Sequence, residues 1–280
     1  SISNFYYVEV LTTMGGVPIC WSHFDNDCGD ATMTALTLAA AQTTSIAGDV
    51  PANLQRHLAF MRAAAGHGVQ LLGFPELSLT GYEPSLADEL AIAPEDARLA
   101  PLREMARELR LTAVVGMPIR LAPGTGVLIG ALVLGADGSL GVYTKQHLHP
   151  GEEVAFIAGQ GGAALAWGDD RIALAVCADF SHSSHPRNAA QSGANVYAAG
   201  VLISEAGYAA DTTLLQGYAA EHRMLVVMAN HGGPTGGWTS AGQSAIWAAD
   251  GLVAAASGTG EALVIARREA GRWTGRQVAI

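Results

Sequence analysis

The sequence predicts an α/β protein in which mixed β-sheets are covered by helices within a single domain. Three observations lead there. The chain has 280 residues, half of them apolar, which is enough to bury one sizeable core. From Met33 to Gly116, strand-like and helix-like stretches alternate, the rhythm of strands joined by helical crossovers. Beyond that point short β-rich runs follow one another and no Pro/Gly-rich linker divides them, so strands and helices share one unit.

The run 36–41 is apolar and reads as a buried strand. In 51–65, Leu54, Leu58, Met61 and Ala65 recur near helical spacing behind Pro51, which a first helical turn tolerates, and Gly66 and Gly68 can end the helix. The apolar strand 69–74 runs directly into Pro75-Glu76. A helix over 95–110 carries Leu99, Leu102, Met105, Ala106 and Leu109 on one side, and 111–116 is the next strand. Strands 127–134 and 140–144 flank Asp137-Gly138, a hairpin-type turn, and Lys145 stands at the exit of the second. The run 171–176 ends at Cys177, with a short helix over 185–192 beyond it. Strands over 195–199, 225–229, 243–247, 252–256 and 262–266, with a helix over 209–222, complete the pattern.

Charge and cysteine usage narrow the function. A formal charge of -10 disfavours nucleic-acid backbones and anionic lipid surfaces as partners. The longest apolar runs, such as 126–136, are short and Gly-rich, where a bilayer span needs about 20 apolar residues. Residues 1–32 contain Cys20 and Cys28 and no Lys or Arg. They lack the basic start and apolar stretch of a secretory signal and are expected to be an N-terminal extension outside the core, with Met33 as the physiological start and 33–280 as the functional domain. That leaves Cys177 as the one cysteine of the body, which fits a reducing, cytoplasmic compartment. Lys145 is the single lysine among fifteen basic residues. A compact ammonium at one position of a chain that otherwise uses Arg points to chemistry there.

Glu76, Lys145 and Cys177 each fall at or just past the end of an expected strand, where α/β folds place reactive groups in a shared crevice. A thiolate is a strong nucleophile, a nearby carboxylate can take its proton and later pass it to a leaving amine, and an ammonium balances an oxyanion. Taken singly, each has a plainer explanation: a buried cysteine acts as a small hydrophobe, and the Glu or Lys joins a surface ion pair.

The local sequence distinguishes these alternatives. Gly73-Phe74-Pro75-Glu76-Leu77-Ser78-Leu79-Thr80-Gly81-Tyr82, then Lys145-Gln146-His147-Leu148 with Pro150-Gly151-Glu152 and Phe156, then Val176-Cys177-Ala178-Asp179, together resemble the three motifs of the nitrilase, or carbon-nitrogen hydrolase, superfamily, in the family's order. Ala39-Ala40-Ala41-Gln42, Ala219-Ala220-Glu221-His222, Val227-Met228-Ala229-Asn230 and Gly242-Gln243-Ser244 extend the resemblance over 33–266. It implies a four-layer α-β-β-α sandwich, assembled as a homodimer or higher homo-oligomer, that needs no metal or organic cofactor. It also implies that Glu76 is the base, Cys177 the nucleophile, and Lys145 with the backbone N–H of Ala178 the holder of the oxyanion. Glu152 matches a second glutamate placed beside the lysine, preferred over Glu153 by its spacing to Phe156. Ala178 stands where nitrile-cleaving members carry other residues, so a small amide or N-carbamoyl substrate is favoured over a nitrile. Ser184-His185-Pro186-Arg187 departs from the family pattern in a loop that borders the pocket. Specificity is expected in 83–94, 180–187 and 204–212, with 235–240 closing over the site.

Three rivals remain. His182 and His185 with Cys177 and Asp179 could hold a metal. His182 or His147 could serve as base to Cys177 in a Cys-His hydrolase. The third is a binding or assembly protein that retains the fold without turnover.

Overall fold

The computed structural model describes residues 35–280, so the expected extension over 1–32 lies outside the described residues. Leu36–Gln42 (β1) is buried along its whole length, as a central strand covered on both faces must be. Val50–Gly66 (α1) starts at Asp49, whose carboxylate accepts the N–H of Ala52 at 3.0 Å, a standard N-cap. Leu71–Gly73 (β2), Ala87–Leu90 (α2), Ala100–Leu109 (α3), Thr112–Ile119 (β3), Leu128–Leu134 (β4) and Leu140–Thr144 (β5) complete the first half. The second half contains Leu165–Trp167 (β6), Asp170–Val176 (β7), Ser184–Gln191 (α4), Val196–Val201 (β8), Tyr208–His222 (α5) and Leu225–Asn230 (β9). Ala245–Ala248 (β10), Gly251–Ala255 (β11), Ala262–Glu269 (β12) and Arg272–Ala279 (β13) end the chain.

The strands form two sheets, ordered β13-β12-β1-β2-β3-β4-β5 and β11-β10-β9-β8-β7-β6. In the first, β1, β2 and β3 are mutually parallel, and in the second β7, β8 and β9 are; the outer pairs are antiparallel. Side-chain alternation assigns each face. Leu36, Leu38 and Ala40 of β1 join Leu174, Val176, Val227 and Ile246 between the sheets, whereas Ala39 and Ala41 pack with Leu54, Leu58, Met61 and Leu102 beneath α1 and α3. On the other side Tyr197, Val226 and Met228 meet Leu215, Tyr218 and Ala219 of α5. Helices, two facing sheets and helices again make the expected α-β-β-α sandwich.

The differences from the expected elements have local causes. The helix expected over 95–110 opens as a 3₁₀ turn, Ala97–Leu99, before α3 takes over. The strand expected from 243 starts at Ala245, because Gln243 has a left-handed backbone (φ 49°) that no strand accommodates. β13 was not expected: its Arg, Thr and Gln side chains are mostly exposed, and an edge strand of that kind carries little hydrophobic periodicity.

One buried ion pair crosses from sheet to sheet. Both terminal guanidinium nitrogens of Arg268 on β12 reach the carboxylate of Asp170 at the start of β7, at 2.7 and 2.6 Å, and Asn195 donates to the same carboxylate at 2.7 Å. Bidentate pairing of this kind fixes orientation as well as distance. Asp170→Ala is expected to cost about 3–5 kcal/mol of stability, the usual penalty for removing one member of a buried pair, with no change in secondary structure. Urea unfolding monitored by circular dichroism measures it.

Candidate active site

Strand ends bring the three sequence-predicted residues to one crevice: Glu76 and Cys177 follow the carboxyl ends of β2 and β7 in the parallel blocks of facing sheets, and Lys145 follows the edge strand β5. Glu76 is fixed first through its backbone. Leu77 adopts φ 51°, and the segment lies wedged between two glycines. A Cβ on Gly116 of β3 would stand 2.3 Å from the Leu77 nitrogen, and one on Gly200 of β8 would stand 2.6 Å from the Phe74 carbonyl oxygen. The Nε2–H of His231 donates to the Glu76 carbonyl at 2.7 Å. Burial lowers the pKa of that imidazole to about 4, although the same hydrogen bond acts to raise it; the ring is therefore neutral at pH 7.

Lys145 follows β5 and is fully buried. Its Nζ lies 2.6 Å from Oε1 of Glu76 and 2.7 Å from Oε1 of Glu152. Glu152 sits in the 3₁₀ turn Glu152–Val154. It also accepts the Tyr82 hydroxyl at 2.8 Å on Oε1 and the His149 N–H at 2.8 Å on Oε2. The neighbouring Glu153 is exposed and turns back to the N–H of Gly151, so of the two glutamates it is Glu152 that faces the ammonium. Tyr82 lies within the first motif, and only the fold brings its buried hydroxyl to Glu152.

Two carboxylates and one ammonium share this buried site, and each acts on the charge of its neighbours. Burial pushes the Glu76 carboxyl up to about 7, with Lys145 pulling it down and Glu152 pushing it up. Burial disfavours the Lys145 ammonium, but Glu76, Cys177 and Glu152 outweigh it and hold its pKa above the ordinary lysine range. For Cys177, burial and the Glu76 carboxylate push the thiol well above its ordinary value, against the opposing pull of Lys145. The resting thiol is therefore protonated. Its Sγ donates to the Leu202 oxygen at 3.6 Å. Oε2 of Glu76 is buried and has no hydrogen-bond partner among the described residues, which leaves one carboxylate oxygen available to take up a proton.

Cys177 stands at φ 41°, a conformation that costs a non-glycine residue free energy and is held by its surroundings. Asp179 supplies that hold. Its Oδ2 accepts the Val176 N–H at 3.0 Å and the Tyr143 hydroxyl at 2.7 Å, and its Oδ1 accepts the N–H groups of Gln146 and His147 at 3.0 and 2.9 Å. One buried carboxylate thus ties the cysteine turn to the segment that follows Lys145. Ala178 comes next in the 3₁₀ turn Cys177–Asp179, whose first N–H groups have no intrahelical acceptor.

Glu76, Glu152, Cys177 and Ala178 open onto one cleft of about 260 Å³, walled by residues that include Tyr82 and Trp238. The loops expected to set specificity contribute unequally. Residues of 180–187, 204–212 and 235–240 line the cleft, but none of 83–94 does, since that stretch is spent on a 3₁₀ turn and α2.

The histidine loop is occupied otherwise than its metal-site or Cys-His readings require. Nδ1 of His185 meets the Tyr197 hydroxyl at 2.9 Å, and its Nε2 meets the Tyr143 hydroxyl and Gln146, both at 2.8 Å. His182 stacks on His147 at 3.9 Å and contacts the Ala178 carbonyl through Nδ1. Neither His147 nor His182 lines the cleft or hydrogen-bonds Cys177. Among the described residues, no three His, Cys, Asp or Glu side chains are grouped to hold a metal ion, and no helix is long and apolar enough to cross a membrane.

An α-β-β-α sandwich that gathers Glu, Lys and Cys in one crevice defines the class of carbon-nitrogen hydrolases. The chain belongs to that family: residues 37–275 match the family described as Carbon-nitrogen hydrolase. Its fold is similar to that of the amidase from Nesterenkonia sp. AN1. A variant of that amidase in complex with butyramide is 27% identical with a TM-score of 0.76, covering 84% of this chain and 92% of that one. Another variant, carrying the product of Michael addition of acrylamide at its active site cysteine, is 27% identical with a TM-score of 0.75, covering 82% and 92%. Among curated proteins, the glutamine-dependent NAD(+) synthetase of Thermotoga maritima is 26% identical over 179 residues, 59% of this chain and 29% of the synthetase. The corresponding synthetase of Mycobacterium tuberculosis is 32% identical over 150 residues, 48% and 22%. The chain spans less than a third of the length of these synthetases.

Because Gly200 lets the Glu76 segment approach backbone to backbone, Gly200→Ala is expected to lower kcat about 100-fold, the scale of a 1 Å misplacement at a reacting group, while leaving the protein folded. Steady-state kinetics alongside thermal unfolding checks it.

Proposed function

We propose that this chain hydrolyses the C–N bond of a small non-peptide amide through a thioester on Cys177, and that residues 33–280 constitute the hydrolase domain. The supporting observation is the Lys145 ammonium held 2.6 and 2.7 Å from two buried carboxylates beside a half-buried thiol, in a cleft of about 260 Å³. A cleft of that volume suits a small acyl group.

Each group then has a defined part. The Glu76 carboxylate removes the thiol proton as Sγ attacks the amide carbonyl carbon. The tetrahedral oxyanion is stabilised by the Lys145 ammonium and the N–H of Ala178. Glu76 returns the proton to the amide nitrogen, the C–N bond breaks, and ammonia or an amine leaves. Water then attacks the thioester carbon while Glu76 accepts its proton, and collapse of the second tetrahedral adduct releases the carboxylic acid and regenerates the thiol. Glu152 does not meet the reacting atoms; it holds Lys145, with Tyr82 and the His149 N–H fixing Glu152 in turn. The same sequence cleaves an N-carbamoyl compound, where the amine leaves, a carbamoyl group is carried on Cys177 and its hydrolysis releases carbamic acid.

The amidase of Nesterenkonia, seen with butyramide and with acrylamide at its cysteine, supports an amide. Cys177→Ala is expected to abolish ammonia release across a panel of small amides and ureido acids, and mass spectrometry of the rapidly quenched native enzyme should find an acyl adduct on Cys177. Turnover that survives Cys177→Ala overturns the scheme.

The base acts as a carboxylate, which predominates above its pKa. With the Glu76 carboxyl pushed up to about 7, kcat/KM is expected to rise with pH to a plateau above about 7 and to fall tenfold per unit below it. Glu76→Gln is expected to reduce kcat by about 10³-fold, the usual scale for general-base loss. A pH–rate profile of kcat/KM measures the limb.

A further inference from the structure

We propose that Asp211 is a specificity-determining residue whose carboxylate binds a protonated amine on the substrate, so that the preferred substrates are small amides with an ammonium group at the end remote from the scissile carbonyl. This presupposes the amide hydrolysis proposed above and names its substrate class.

Charge around the cleft is the first ground. Among the described residues that line it, the ionisable side chains besides Cys177 and Tyr82 are Glu76, Glu152, Asp211 and His149; no Arg or Lys is among them. The nearest ammonium, Lys145, is fully buried and already engaged by two carboxylates. A substrate carboxylate, as in an N-carbamoyl amino acid, finds no Arg or Lys in the wall and only the His149 imidazole beside Asp211, whereas an ammonium group meets three carboxylates.

Asp211 is the second ground. It lies one turn into α5, half-buried at the cleft wall, and its carboxylate accepts no hydrogen bond and joins no ion pair among the described residues. Of the site's other carboxylates, Glu152 has three donors, and Glu76 faces Lys145 through Oε1 and turns Oε2 to the proton transfer proposed above. Gly207 opens the space above it, since a Cβ there would stand 3.1 Å from Asp211 Oδ2. Burial holds the Asp211 carboxyl above its ordinary range while His149 pulls it down, the condition of an acid that gains from a bound cation. Trp238, 46% exposed, lines the same cleft and adds an aromatic ring to the wall, a side chain that attracts cations.

An acid in a first helical turn also favours the helix dipole, so the test must read charge selectivity rather than activity alone. Three amides of similar length separate the cases: 4-aminobutanamide (cationic), pentanamide (neutral) and glutaramate (anionic), with β-alaninamide and 5-aminopentanamide varying the reach. The native enzyme is expected to favour its best cationic amide over pentanamide by at least tenfold in kcat/KM and to turn over glutaramate least. Asp211→Asn should bring the cationic-to-neutral ratio close to one, chiefly by raising KM for the cationic amides. A neutral amide preferred over every cationic one, or a ratio that Asp211→Asn leaves intact, overturns the assignment. Titration of the same amides into Cys177→Ala by calorimetry reads the charge preference without turnover: selective ammonium binding that Asp211→Asn removes supports Asp211 even if no amide is hydrolysed, an outcome that would sink only the proposed reaction.

Discussion

The Lys145 ammonium, closed off from water between the carboxylates of Glu76 and Glu152, is the interaction on which the rest of the site depends. Burying three ionisable groups is costly unless each finds partners, and here the partners are drawn from distant parts of the chain. Glu76 follows β2, Lys145 follows β5, Glu152 comes from the turn beyond, and Tyr82 and the His149 N–H complete the shell. With two carboxylates against one ammonium, the set carries an excess negative charge that burial penalises. The proton affinity of Glu76 rises in response, and that rise is what gives a carboxyl group the character of both an acid and a base near neutral pH. The cost of assembling the triplet and the chemistry it can perform have the same origin.

Support for the site comes from groups that touch no reactant. Asp179 binds the N–H groups on either side of the crevice, so the cysteine turn and the lysine segment are tied through one carboxylate. His231, neutral at pH 7 because its pKa is lowered to about 4, holds the Glu76 carbonyl. Asn230 beside it spans Ile203 and Gly242, while Gln42 links Gly258, Gly260 and Ser244. These two polar side chains lie within motifs that the sequence displays, and the structure gives them a bracing role.

Much of this was legible beforehand, and what was not has a physical reason. The strands and helices that build the core announce themselves through apolar periodicity, as in 36–41 and 51–65. The edge strand β13 does not, because exposed Arg, Thr and Gln leave no alternation to detect. Lys145 and Cys177 stood out through rarity of residue type, and Glu76 and Glu152 through their motifs. Gly116 and Gly200 were invisible: a glycine inside an apolar strand signals nothing until the segment it must admit is known, and that segment comes from elsewhere in the chain. Asp211 and Trp238 fell within stretches expected to shape the pocket, but their convergence on one cleft is a product of tertiary folding.

The two glycine contacts also bear on how such a protein can change over evolutionary time. Glu76 is located by main chain pressed against main chain at Gly116 and Gly200, whereas the cleft wall is built from side chains on separate loops and the start of α5. The reactive geometry and the choice of substrate are therefore held by different materials. Residues at the wall can be exchanged without moving the glutamate, and a lineage can acquire a new substrate while inheriting its chemistry intact.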